Sequence, residues 1–178
     1  DGTKYSGQGV YAIGTFNMYG GSISGNVSQH SSGVLLDNGA NSGGKGTAFN
    51  MYGGEITGNT ATNGAGGGVY VFANSPFRMY GGSISGNTAK YGGGGVYVGS
   101  GSVFTVSGSV TITGNTDNDG SACNVQLAKG NTAGTTFAIG EGGLAESARI
   151  GVTADAAPAI GEHIAVATGA DNGYYEGN

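Results

Sequence analysis

Short bursts of alternating apolar and polar residues run along this chain and recur. FRMY at Phe77–Tyr80 puts Phe77 and Met79 on one face and Arg78 and Tyr80 on the other, the period-two pattern of a half-buried strand. Gly81 and Gly82 then bend the chain, and SIS follows with Ile84 pointing inward. Gly86 and Asn87 turn it again. After a loop, GVYV sets Val96 and Val98 on one face with Tyr97 opposed. Each period therefore predicts three short strands separated by glycine-rich turns, where glycine supplies the positive φ that tight corners need. No burst is long enough for a helix, so the predicted class is all-β.

The unit repeats. FNMYGGSISGN at Phe16–Asn26 returns as FNMYGGEITGN at Phe49–Asn59 and FRMYGGSISGN at Phe77–Asn87. A looser copy, FTVSGSVTITGN, runs from Phe104 to Asn115, and FAIGEGGL starts at Phe137. The phenylalanines are 33, 28, 27 and 33 residues apart, a period that signals stacked supersecondary units. Three strands per period predict a parallel β-helix, a solenoid of about five coils spaced about 4.8 Å apart. Stacking then requires columns of like residues. Phe16, Phe49, Phe77, Phe104 and Phe137 form one, and Met18, Met51, Met79, Val106 and Ile139 the next. Ile23, Ile56, Ile84 and Ile112 form a third, and Val10, Val34, Val69, Val96 and Val125 a fourth. Asn26, Asn59, Asn87 and Asn115 each follow a turn glycine, where side-chain amides can bond from coil to coil.

Composition narrows the function. The chain has 178 residues with a formal net charge of −5, and only 10% of residues are charged. Lys and Arg are scattered singly, so no basic stripe offers itself to nucleic acid. No apolar run approaches the roughly 18 residues of a membrane helix. Cys123 is the single cysteine, which excludes a disulfide framework and reads as a small buried hydrophobe. We expect one β-helix domain over residues 1–178, with 128–178 a less regular terminal coil or cap. The chain opens mid-repeat at DGTKYSGQGVYAI, as a module cut from a longer protein would, with neighbouring domains of that protein as partners.

The repeats GGxIxGNTA and GGGVYV, present from about Gly9 to Leu127, resemble those of surface proteins from gut-dwelling anaerobic bacteria. NVQLAKG at Asn124–Gly130 and ARIGVTADAAPAIG at Ala148–Gly161 resemble the segment that often follows such arrays. More distantly, GGSI and GGEI are similar to the repeats of chlamydial polymorphic outer membrane proteins, although Asn here follows Phe directly rather than three positions on. The resemblance implies a right-handed parallel β-helix of adhesin-like character, extracellular, on a bacterial cell surface.

Catalytic chemistry finds little to work with. β-Helix enzymes acting on acidic polysaccharides need converging carboxylates and basic groups. Asp117 and Asp119 in TDNDG are the best local pair; they suit a solvated turn, or at most a weak calcium contact, because the closing bidentate Glu of a calcium loop is missing. Glu55 and Arg78 could form a surface ion pair of small value. His30 and His163 lack partners at metal-ligand spacing. The glycine runs Gly66–Gly68 and Gly92–Gly95 precede no helix and no Lys-Ser or Lys-Thr pair, which rejects a phosphate loop. No catalytic residue, cofactor or metal is expected.

The outward positions are more suggestive. Tyr19, Tyr52 and Tyr80 fall in one column, and Tyr11, Tyr70 and Tyr97 in another that Leu35 interrupts. Rows of rings either stiffen the stack or hold a sugar or protein partner. The candidate partner site is a tyrosine face of Tyr52, Tyr80, Tyr70 and Tyr97, for a host or microbial surface glycan or protein. Two longer loops, Asp37–Ala48 and Ala128–Thr136, should emerge from one edge and are either neutral insertions or a second place for function. The expected role is a non-catalytic adhesion or spacer module, with a carbohydrate-binding module or a polysaccharide-degrading enzyme as the alternatives.

Overall fold

The computed structural model describes residues 7–38, 47–128 and 135–154, side chains up to residue 152. Every regular element among them is a β-strand, and every strand pairing is parallel. Among the described residues no helix is long and apolar enough to cross a membrane. The strands form three sheets to which successive repeats add in order, an arrangement consistent with a β-solenoid.

The first sheet carries the phenylalanines: Thr15–Met18, Ala48–Met51, Pro76–Ser85, Val103–Thr113 and Thr136–Leu144 pair one to the next. The register sets Phe16, Phe49, Phe77, Phe104 and Phe137 in one column and Met18, Met51, Met79, Val106 and Ile139 in another. Ile23, Ile56, Ile84 and Ile112 follow on the same sheet, and Ile150 extends them. A second sheet is built from Val10–Ala12, Val34–Leu36, Val69–Val71, Val96–Val98, Val125–Leu127 and Val152–Ala154, with its valines in register. All four columns read from the sequence are present. They meet in one core in which Phe49, Phe77, Phe104, Ile84, Val69 and Val96 are fully buried. Each such side chain contributes about 1.5–3 kcal/mol, and only neighbouring repeats can supply the contacts.

Two features differ from the sequence reading. FRMY and SIS are not separate strands in the middle repeats: they join into Pro76–Ser85 and Val103–Thr113. The chain stays paired through the glycines, Gly81 opposite Ser109 and Gly82 opposite Val110. The segment predicted as a loop after GN instead holds a third sheet of two-residue strands, Val27–Ser28, Thr60–Ala61, Thr88–Ala89 and Thr116–Asp117. Two residues are too few to show a period, but their parallel neighbours above and below fix them. The fourth repeat also has one residue more between its Phe and Asn than the third. That residue is absorbed as a register shift between Met79 and Gly81.

The corner between the first and third sheets is closed by an asparagine ladder. Asn26 Nδ2 donates to Asn59 Oδ1 at 2.8 Å, Asn59 Nδ2 to Asn87 Oδ1 at 2.9 Å, and Asn87 Nδ2 to Asn115 Oδ1 at 2.9 Å. The same oxygens accept the backbone N–H of the preceding asparagine at 3.0–3.1 Å. Asn115 has no asparagine beyond it at the same position of the repeat, but Asn124 Oδ1 accepts from both its Nδ2 and its backbone N–H at 3.0 Å. Asn124 stands opposite Gly95, where the other repeats carry the glycine of GV, so the terminal rung is supplied from another position in the repeat.

That glycine position is reserved for the ladder. A Cβ on Gly68 would lie 2.6 Å from the Gly95 carbonyl oxygen and 3.0 Å from Asn87 Nδ2. Gly68→Ala should therefore destabilise by about 1–3 kcal/mol through overpacking. Denaturant unfolding reads this, and an unchanged midpoint would mean that the ladder can give way.

Candidate functional site

The rings recur at the strand spacing, but on two sheets. Tyr19, Tyr52 and Tyr80 each come directly after the Met of Phe–x–Met on the first sheet, Tyr80 within the strand Pro76–Ser85. Their ring centroids are 4.9 and 5.0 Å apart with planes inclined by 6° and 12°. They stand 74%, 45% and 41% exposed, so each stacks on its neighbour and still shows a face to solvent. Tyr70 and Tyr97 belong to Val–Tyr–Val strands of the second sheet, where they stack at 5.1 Å and 24° and are half-buried. The single face expected from Tyr52, Tyr80, Tyr70 and Tyr97 is thus not assembled. Residues after Met and residues between valines point out of different sheets, so these four form two separate pairs.

The second-sheet column reads Tyr11, Leu35, Tyr70, Tyr97, Gln126 along the register. Leu35 is smaller than the tyrosines on either side and is 4% exposed. Beside it lies a groove of about 340 Å³, lined by Leu35, Tyr70, Tyr97, Phe72, Tyr91 and the His30–Ser31 turn. Phe72 tilts against Tyr70 at 6.1 Å, and Lys90 Nζ sits 4.9 Å over the Tyr91 ring. The Tyr91 hydroxyl donates to Asn63 Oδ1 at 3.3 Å.

The sequence reading did not single out Phe72, Tyr91 or Ser31, and took His30 only as a failed metal ligand. One signal was available: Tyr70 and Phe72 are two apart and so share a face of one extended segment. Nothing comparable marked Tyr91 or Ser31, which come from the connection between the third and second sheets.

The remaining candidates serve the fold. Asp117 Oδ1 accepts from the backbone N–H of Asp119 and of Ser121, each at 2.9 Å, an Asx-type turn. The register places Arg78 beside Asn50 and Glu55 beside Ser83, and no ion pair joins Glu55 to Arg78. Cys123 is buried and accepts the Gly93 N–H at 3.0 Å. The two glycine runs pair with each other, backbone on backbone, from Gly66 N–H to the Gly92 carbonyl through Val69 N–H to the Gly95 carbonyl. Among the described residues no three His, Cys, Asp or Glu lie together in a set that could hold a metal ion. His163, residues 39–46 and 129–134 of the two longer loops, and the tail from residue 155 lie outside the described residues.

No protein-family model, curated protein or solved structure matches this chain.

Proposed function

We propose that this chain is a right-handed parallel β-helix of about five coils that serves as a non-catalytic module on the outside of a bacterial cell, as spacer and adhesive surface. The carrying observation is the unbroken run of registered like residues. Stacked Phe49, Phe77 and Phe104 and hydrogen-bonded Asn59, Asn87 and Asn115 join each repeat to the next by the same contact. A structure that grows by repetition makes a stiff rod with long side faces. The polar surface rests mainly on neutral side chains, since only 10% of residues are charged. Binding through such faces should depend little on salt.

Two experiments test the reading. Immunodetection on intact and protease-shaved cells of the producing bacterium should find the chain outside; a purely cytoplasmic location overturns it. Beads coated with the purified chain should adhere to host or microbial surfaces. Tyr80→Ser with Tyr97→Ser in one variant should abolish that adhesion while leaving the unfolding free energy within about 1 kcal/mol of wild type. The single variants then assign adhesion to one sheet or the other. Undiminished adhesion of the double variant would make the tyrosine stacks stiffening ladders only.

A further inference from the structure

We infer that the groove beside Leu35 is a binding site for one neutral sugar ring, an inference that rests on the adhesive reading and names its ligand class. Three observations on the second-sheet side converge.

The groove opens where one column lacks a ring. Leu35 replaces the ring that Tyr11 and Tyr70 lead one to expect between them. In the neighbouring connection, Tyr91 N–H donates to the Gly64 carbonyl, and a Cβ on Gly64 would fall 1.8 Å from the His30 carbonyl oxygen. Gly64, which also lines the groove, thus lies between His30 and Tyr91, and having no side chain it lets its backbone pack directly against the His30 carbonyl. The volume of about 340 Å³ is at the lower end of ligand pockets, which run from about 300 to 1,000 Å³. It suits one ring or a short oligosaccharide end rather than a long chain.

The walls have the chemistry of a sugar subsite. Tyr70, Phe72, Tyr91 and Tyr97 offer ring faces to the apolar C–H face of a pyranose, and tyrosines and the His30 imidazole offer polar edges to its hydroxyls. No Asp, Glu, Lys or Arg is among the residues lining the groove, and Lys90, over the Tyr91 ring at its side, already donates to Asn63 Oδ1 at 2.9 Å, which favours a neutral sugar over an acidic one. A phenylalanine side chain from a partner protein would fill the same space but would leave the buried polar group described next unmet.

That group is Ser31. It contributes to the lining, is only 2% exposed, and its hydroxyl has no hydrogen-bond partner. Buried hydroxyls are ordinarily paired; Gln8 Nε2 and Ser75 Oγ are also without a partner, but Ser31 alone of the three lines the groove, where a ligand hydroxyl would supply the missing bond.

The test is a glycan array with the whole chain, followed by titration of the retained glycans. Intrinsic tyrosine emission can report binding, because the chain contains no tryptophan. Neutral glycans should be retained at both low and high salt. Ser31→Ala should weaken binding about five- to tenfold, the worth of one hydrogen bond, without lowering the unfolding midpoint, since it removes a hydroxyl that bonds nothing in the free protein. Tyr91→Ala, at an exposed position, should weaken it about tenfold through the lost stacking. Arg78→Ala, on the first sheet, should bind as wild type. Retention of acidic glycans alone, capture of proteins but no glycan, or binding unchanged by both groove variants would overturn the assignment. If the array is silent while bead adhesion persists, the sugar site falls and the adhesive reading stands. If the array is positive and the groove variants weaken it while beads fail to adhere, the sugar site stands and the adhesive role falls.

Discussion

Phe77→Ala should cost about 3–5 kcal/mol of unfolding free energy, among the largest losses any single truncation can produce in this chain. Phe77 is fully buried, with the Phe49 ring at 4.6 Å and 3° on one side and the Phe104 ring at 4.5 Å and 7° on the other. Truncation removes a buried ring, leaves a cavity that two stacked neighbours cannot close without leaving their own strands, and cancels two ring contacts worth about 0.5–1.5 kcal/mol each. Phe16, by contrast, stacks on one ring only and is half-buried, so Phe16→Ala should cost less. Arg78→Ala, one residue away and pointing outward, should stay within about 0.5 kcal/mol of wild type. Denaturant melts of the three variants give the comparison. A loss below about 1 kcal/mol at Phe77 would mean that the column does not hold the repeats together.

The columns were legible because they depend on two features a sequence displays directly, the alternation inside a strand and the step between repeats. Phe, Met, Ile and Val recur at both, and the register confirms each of them. The asparagine ladder was legible for the same reason. What escaped depends on relations between repeats that have no period. Thr60–Ala61 and Thr88–Ala89 are strands only because they lie beside each other. Asn124 completes the ladder from a position where other repeats carry glycine. Tyr80 and Tyr97 look equivalent as outward rings, and only the path of the chain through two sheets separates them. The groove was the least legible feature, because it arises where Leu35 interrupts a column of rings, and an interruption in a pattern does not say whether neighbours close over it.

Asn87→Asp should be more damaging at neutral pH than Asn87→Ala, although it changes a single NH2 to oxygen. Asn87 is fully buried. Its Nδ2 donates to the Ile56 carbonyl at 2.9 Å, the Ser85 carbonyl at 3.1 Å and Asn115 Oδ1 at 2.9 Å, while its Oδ1 accepts from Asn59. Alanine forfeits these bonds at about 1–3 kcal/mol for the groups left unsatisfied. Aspartate keeps the accepting oxygen but sets a second one against three acceptors, with a buried charge that nothing nearby neutralises. A cost of about 3–5 kcal/mol is expected at pH 7. Burial and those three oxygens must raise the carboxyl's folded-state pKa above the ordinary value of about 4. The folded state then holds the proton more tightly than the unfolded one. The variant's deficit relative to wild type is therefore smallest below about pH 4, where the carboxylic acid can still donate one hydrogen bond, and grows as pH rises through the folded value. Parallel denaturant melts of wild type and both variants from acid to neutral pH measure this. A deficit that stays flat with pH, or an aspartate variant as stable as wild type at pH 7, would show that the ladder does not rely on the amide as a donor.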